Sequence, residues 1–583
     1  MKPRDDTVDQ NASSPLAHRD NSPAETSRRH FLKMGAAVAG AATGGLATGA
    51  AQADDFRPLD IDPSVDVANG PDRRVRAARD LRIDAAQQHF LDTFSVGVQR
   101  DNNDEQRYAD QRFYASFTKT LPSNQYGEVQ PSAFRALRRA MRRGRKADFD
   151  AIPLDGSAAR RLANPQGAFR YEVAGLDSHA TRMPPSHRFR SAKLAGEQGE
   201  VYWQALTRDV PFSQYDTDPT IAAAVADLNT FSATPGPSVG GALTTSTLFR
   251  GETPGDLVGP YISQFLWHDF SFGPVDVVQR YEAGVPGVDF MADAANWLNV
   301  QRGGAPAETL VFGPKRYIND NRALSEYVHR DVLYQAYLHA AFILLGYGGA
   351  ALDPGNPYAG SITNQGAFTS LGGPFVIDLV STAGNLALSG AWFQKWRVHR
   401  LLRPEAYGGR VHFHMTGQRH YELNDDILNS AAVNLAHSRN GTYFLPQAYT
   451  EGSPTHPSYP AGHATVAGAC VTVLKAFFNE DFVIPNPVVC NDDGTALLPY
   501  AGPDLTVGGE LNKVANNVAI GRDAAGVHFR QDGVEGLVVG EQQAIALLQD
   551  KSRTLNEADF GGFTLTRFDG TRIRIRDGNV TPA

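Results

Sequence analysis

An all-α bundle is the fold the sequence predicts, and three observations point to it. Long apolar runs at helical spacing fill the second half of the chain, prolines and glycines stand where such helices would start and stop, and only the C-terminal tail alternates with the period of a strand. In chain order, "SRRHFLKMGAAVAGAATGGLATGAAQA" reads as a twin-arginine export signal: Arg28 and Arg29 precede Phe31, Leu32, Lys33, a weakly apolar Gly/Ala run and the small residues Ala51 and Ala53 flanking a cut. The run from Met34 to Ala50 is short and glycine-rich for a membrane span. The expected layout is a signal over residues 1–53, a mostly helical region over 54–240 opening with a loose polar arm, and a helical-bundle region over 241–583. The turn formers of "SATPGPSVGG", Ser232 to Gly241, mark the linker or loop between the last two.

Beyond that linker, "ALSEYVHRDVLYQAYLHAAFILLGYG" reads as one long helical run with Leu324, Val328, Val332 and Leu338 near one face. "PFVIDLVSTAGNLALSGAWFQKWRVHRLLRP" begins with Pro374 at a first helical position and stops at Pro404. Further helices are expected after His463, from Leu511 to about Ala524 with a break near Gly526, and from His528 to Leu548. "FTLTRFDGTRIRI" reads as a small C-terminal β-hairpin turning at Asp569-Gly570.

The bulk composition is that of a soluble protein with generous loops: 583 residues, 42% apolar and 20% charged, with Gly 56 and Pro 35. Removing the first 53 residues takes away six Lys/Arg and five Asp/Glu, so the net charge goes from −8 to −9 and general nucleic-acid binding is disfavoured. "FRALRRAMRRGRK" runs against that trend. Phe134, Leu137 and Met141 fall at helical spacing within it, so it reads as a solvated amphipathic helix in preference to a polyanion patch. Two cysteines, Cys470 and Cys490, exclude a Cys-rich metal site and leave open a disulfide or two buried thiols. No stretch after the signal approaches membrane length.

The stretch "HPSYPAGHATVAGA" carries the first sign of chemistry. A helix starting just after Pro460 leaves its first N–H groups without partners, which suits an anion, with His463 beside it. A tetrahedral oxyanion in a cleft needs several fixed cations. Lys395 and Arg403, eight residues apart, would share one broad face of a continuous helix. In "GRDAAGVHFRQDG", Gly526 lets the chain turn between Arg522 and His528, while His528 and Asp532 sit at i and i+4. A histidine held by an acceptor on its other ring nitrogen is set up as a nucleophile or a metal ligand.

The ordered series Lys395, Arg403-Pro404, Pro460-Ala461-Gly462-His463 and Arg522, His528, Asp532 resembles the signature of vanadium-dependent haloperoxidases and the acid phosphatases related to them. "FRGETPGDLVGPYISQFL", "NPYAGSITNQGAF", "WFQKWRVHRLLRPEAYGG" and "NVAIGRDAAGVHFRQDGVEGLVVGE" are similar to the bromoperoxidase branch, from about Phe249 to Glu541. The resemblance implies two four-helix bundles around a vanadate site, with residues 241–583 as the catalytic part, and a homodimer or larger assembly. It implies vanadate as cofactor, His528 as the vanadium ligand, and Lys395, Arg403, Arg522 and the Gly462 N–H as partners of the vanadate oxygens. His463 would be the acid–base group, with Lys395 and His528 completing the catalytic set. Trp392, His456, Asp532 and Asp331 would support these groups. The expected activity is oxidation of bromide, and of iodide, by hydrogen peroxide to hypohalous acid, which halogenates small organic acceptors. A structural calcium near "NPYAGSITNQ" is a further implication of the family alone.

At Ala461 the chain departs from the pattern, which commonly has serine there. The missing hydroxyl removes one contact to the oxyanion, worth about 1.5 to 3 kcal/mol if charge-assisted. Two other readings stand beside the haloperoxidase: a phosphohydrolase, in which His528 attacks a phosphoryl group, and a protein that only binds oxyanions. "VHFHMTGQRH", with His412, His414 and His420, could hold a metal but reads better as a loop packed near the cleft.

Overall fold

The computed structural model describes residues 71–360 and 364–583. The expected export signal and polar arm, and part of the expected calcium stretch, lie outside the described residues. Val75–Ala583 is one compact unit. Its main helices are α1 (Pro71–Val96), α2 (Pro131–Arg143), α3 (Ala192–Leu206), α4 (Pro219–Leu228), α5 (Asn321–Arg330), α6 (Gln335–Gly346), α7 (Gly373–Phe393), α8 (Pro404–Met415), α9 (Ala431–Asn440), α10 (Gly462–Phe477), α11 (Val507–Ala524) and α12 (Arg530–Ser552). The protein is helix-rich, as the periodicity predicts. Among the described residues it also carries four small antiparallel sheets, which short strand pairs in loops do not announce in sequence.

The basic stretch is the amphipathic helix α2, with Phe134, Leu137 and Met141 buried beneath its arginines. Three expectations need correction. The run over residues 323–348 is two helices, because the backbone is extended at Asp331; Leu324 and Val328 are buried, whereas Val332 lies past the break and is exposed. The run ending at Pro404 is also not one helix. After α7 it widens into a π-helical turn, Gln394–His399, and ends with Arg400 in the left-handed region (φ 41). Pro404 does not stop that helix; it opens α8, with Arg403 as the residue before the first turn. The C-terminal hairpin is in fact a three-stranded sheet, β1 (Phe563–Thr566), β2 (Arg572–Arg576) and β3 (Asn579–Pro582). Its first turn falls where Asp569-Gly570 predicts, and Gly578 (φ 80) supplies a second.

Two hydrophobic cores meet near the N-termini of α10 and α12. One is built from α7, α10, α11 and α12 through residues such as Leu379, Val466, Leu474, Val514 and Leu547. The other gathers Tyr202, Trp203, Tyr407, Val411, Phe444 and Phe529. α10 and α12 pack with their backbones close together because small residues face each other. A Cβ at Gly540 would sit 2.0 Å from the Thr465 carbonyl oxygen, and one at Gly468 would sit 2.1 Å from that of Leu537. This approach lets Ala461 N–H donate to the Asp532 carbonyl (2.8 Å), tying the start of one helix to the first turn of the other. Cys470 and Cys490 are free, buried thiols. Among the described residues no helix is long and apolar enough to cross a membrane.

Candidate active site

The site grows from the start of α10. Ala461 occupies the capping position in an extended conformation (φ −68, ψ 126) and has no side chain that could accept from the first turn. The N–H of Gly462 and its neighbours therefore keep their donors and the positive end of the helix dipole for an outside acceptor. His463, in the first turn, is one-fifth exposed, and its Nε2 lies 3.0 Å from Oδ1 of Asp331 at the break after α5. The interruption of that helix is thus what aims Asp331 at His463.

Three cations surround this helix start. Lys395 is fully buried in the π-helical turn, and its Nζ donates to the carbonyls of Pro457 (2.8 Å) and Ser458 (2.7 Å). Burial, with the Arg403 guanidinium nearby, holds its pKa well below the ordinary lysine value. Arg403 donates through Nε to the His456 carbonyl (3.0 Å) and through Nη1 to the Val527 carbonyl (2.7 Å), and Nη2 lies 3.0 Å from His456 Nδ1. Desolvation brings its pKa down to about 9. Arg522, in the last turn of α11, donates to the Val328 carbonyl (2.7 Å), lies over the Tyr449 ring, and keeps a buried Nε with no partner. Its charge acts on Lys395, Arg403, His456 and His528 alike. Among the described residues, no carboxylate forms an ion pair with any of the three.

His528 closes the site from α12. Gly526 takes a left-handed conformation (φ 85) that turns the chain between Arg522 and His528, as the sequence predicts. His528 Nδ1 lies 2.8 Å from Asp532 Oδ2, which also accepts from Ser458 Oγ and the Phe529 N–H. With Nδ1–H donated to the carboxylate, Nε2 carries the lone pair and faces Arg403 Nη1 at 2.9 Å. Burial and then the Arg403 charge keep His528 neutral, well below the usual histidine pKa. Burial raises the Asp532 carboxyl to about 6.

The structure brings Lys395, Arg403, Ala461, Gly462, His463, Arg522 and His528 into one place, although Lys395 and Arg403 reach it from two elements and not from one helix face. Trp392, in the last turn of α7, packs at a tilt against His456 with ring centres 4.9 Å apart. Ser458 and Tyr449 were not singled out by sequence reasoning. Ser458 sits inside the quoted proline-rich loop, where a hydroxyl three residues before the cap could have drawn attention; Tyr449 has no comparable signal. The histidine-rich segment is not a loop: His412 and His414 lie on α8, and the His412 ring stacks on Phe444 (3.9 Å). Among the described residues no group of three His, Cys, Asp or Glu side chains is placed to hold a metal ion.

Comparison with known proteins agrees with this chemistry. Residues 379–557 match the family model of the VCPO second helical-bundle domain. A vanadium-dependent bromoperoxidase from Ascophyllum nodosum is 37% identical over 534 residues, 88% of this chain and 94% of the relative. This chain belongs to the vanadium-dependent bromoperoxidase family. A second member, from Corallina pilulifera, is 33% identical over 592 residues, covering 86% of this chain and 98% of the relative. The solved homohexameric structure of the second vanadate-dependent bromoperoxidase from Ascophyllum nodosum superposes with a TM-score of 0.83 at 33% identity, covering 94% of this chain and 96% of that one. The protein is thus a haloperoxidase of the vanadium-dependent bromoperoxidase family.

The donor set fits vanadate. Three buried cations without carboxylate partners, the orphaned Arg522 Nε and an uncapped helix start are suited to oxyanion oxygens, and a neutral histidine with its Nε2 lone pair turned into the site is suited to a metal.

Proposed function

We propose that His528 binds vanadium through Nε2 and that Lys395, Arg403, Arg522 and the Gly462 N–H hold the vanadate oxygens. The observation that carries this assignment is the cluster of buried cations whose partners are carbonyls, histidine and the Tyr449 hydroxyl and never an ion-paired carboxylate, since such a cluster needs an anion to balance it. When bound, vanadate supplies a Lewis-acidic V(V) centre at which hydrogen peroxide is activated to oxidise a halide. The chain's own residues do the rest. Asp532 fixes the His528 ring and its tautomer, and Ser458 holds Asp532. Lys395 and Arg403, anchored to rigid carbonyls, present fixed positive charge where negative charge develops. His463, the more exposed of the two histidines, would accept a proton from incoming peroxide at its ring and hold it for return within the site, with Asp331 orienting its ring. Trp392 and His456 form an aromatic wall that shapes the halide approach.

On this reading the halides are bromide and iodide, and the product halogenates small organic acceptors. The homohexameric relative supports the larger end of the homodimer-or-larger assembly that the resemblance implies. Packing of α7, α10, α11 and α12 around one core supports one of the two expected four-helix bundles. The twin-arginine motif supports export of the enzyme to the periplasm or outside the cell. Calcium is left as a family implication.

The deciding experiment is bromination of a dimedone-type acceptor by vanadate-free protein given bromide and hydrogen peroxide, before and after vanadate and then with excess phosphate. Activity that requires vanadate and is suppressed by phosphate is expected. No bromination, together with turnover of an aryl phosphate, would overturn the proposal.

A further inference from the structure

A second cluster of positive charge lies apart from the catalytic cations. A cleft of about 660 Å³ is lined by Arg100, Arg188, Arg397 and Arg400, with Asp101 as the one carboxylate in its wall. Neither Arg100 nor Arg188 forms an ion pair or a side-chain hydrogen bond among the described residues. Arg397 lies over the Phe169 ring (4.5 Å) and its Nη1 is 3.4 Å from His179 Nε2, so its guanidinium is held by aromatic packing and not by an acid. Arg400 does have a carboxylate, Glu105 (2.7 Å), but Glu105 is shared with Arg138 on α2 (2.7 Å). In a chain whose net charge is −8, this concave site has four guanidiniums and one wall carboxylate, with Glu105 paired to Arg400 and the buried Asp104 acting on Arg188 from behind the wall, so positive charge is still in local excess.

We infer that this cleft binds a multivalent oxyanion, one carrying several sulfate or carboxylate groups spaced to meet separate arginines. The volume sets the class, because a single tetrahedral ion fills a small part of a cavity in the size range of small-molecule sites. The arginine fork sets the chemistry, because planar guanidiniums pair bidentately with such groups. None of Lys395, Arg403, His463, Arg522 or His528 lines the cleft, so it is separate from the vanadate seat.

The test uses the vanadate-loaded enzyme at about 0.15 M salt, where loose surface attraction is screened. Two probes share the chemistry and differ in source: inositol hexasulfate as a free anion and a dextran sulfate oligosaccharide as a polymer segment, each titrated by calorimetry. Saturable binding of either supports the site, and the probe that binds tells whether the natural ligand is free or part of a polymer. The double substitution Arg100→Gln with Arg188→Gln, both exposed, is expected to weaken binding at least tenfold while leaving thermal unfolding and bromide oxidation unchanged. The control pair Arg135→Gln with Arg142→Gln, on the outer face of α2, is expected to leave it intact. No saturable binding of either probe, equal weakening in both double variants, or release of vanadate by the probe would each overturn the inference.

Discussion

Two buried lysines show what distinguishes an active site from a structural ion pair. Lys119 and Lys395 are both almost wholly buried, and each Nζ meets two backbone carbonyls. Lys119 also has a carboxylate, Glu405 (2.7 Å), and its pKa falls only to about 8. Lys395 has no ion-pair partner: its charged neighbours are Arg403, Asp532 and Arg522, the Asp532 carboxylate is bonded to His528 and Ser458, and burial with the Arg403 charge holds its pKa well below the ordinary lysine value. The first site is electrostatically complete. The second is completed only by an anion from outside, so the same residue type serves stability in one place and binding in the other.

The largest contrast comes from removing each ammonium. Lys119→Met strands the Glu405 carboxylate and is expected to cost about 3–5 kcal/mol in urea unfolding. Lys395→Met removes a repelled charge, so the vanadate-free protein should unfold no earlier, while bromide oxidation drops by about 10²–10³. Equal destabilisation by both substitutions would erase the distinction. Next in size is Asp532→Asn, which loosens the His528 ring and removes the carboxylate charge that acts on Lys395 and Arg403. Equilibrium dialysis should show vanadate affinity lower by about 10- to 100-fold.

A pH experiment sharpens the comparison further. Lys395 has a depressed pKa without an anion and a higher one with it, so phosphate binding takes up a proton at pH values between the two, and affinity falls as pH rises through that range. Calorimetry in buffers of different ionisation enthalpy should detect the uptake, and Lys395→Met should abolish it. Lys119 keeps Glu405 in both states and should contribute none. The sign for folding follows the same shift. Because the folded pKa of Lys395 lies below the unfolded value of about 10.4, its destabilising charge is absent above that value and present once the pH falls through the folded one. Unfolding of the vanadate-free protein followed across pH, compared with Lys395→Met, reads this out. The smallest effect is expected from Ala461→Ser, which supplies a hydroxyl at the helix start; dialysis should show vanadate held up to about tenfold more tightly.

The sequence made the site legible because its chemistry is local to helix ends. Pro460-Ala461-Gly462-His463 and Arg522 to Asp532 are short segments whose turn residues and i, i+4 spacing survive into the fold almost unchanged. Lys395 and Arg403 were correctly paired for the wrong reason. Helical periodicity carries no sign of the π-helical turn or of the left-handed Arg400, and it is these that bring the two side chains round. Asp331 illustrates the same limit, since nothing in "VHRDVLYQ" announces a helix break except the polarity of His329, Arg330 and Asp331. Tyr449 was out of reach, because a tyrosine beneath an arginine 73 residues away is a purely tertiary fact. The fold class followed from long periodic runs, whereas the three-residue strands depend on pairings that a single segment does not encode.

The half-buried Trp392 has one more consequence. Its ring edge lies 3.6 Å from where a Cβ on Gly462 would stand, so an oxidisable indole borders the place where a strong oxidant is released. His528 is buried and His463 one-fifth exposed, so on the proposed chemistry the oxidant forms within reach of this ring. The enzyme should therefore wear out from its doorway inward. In mass spectra of enzyme taken through many turnovers, oxygen or bromine should accumulate on Trp392 before buried Trp396 is touched, and working lifetime becomes a property of one side chain that the fold's stability does not govern.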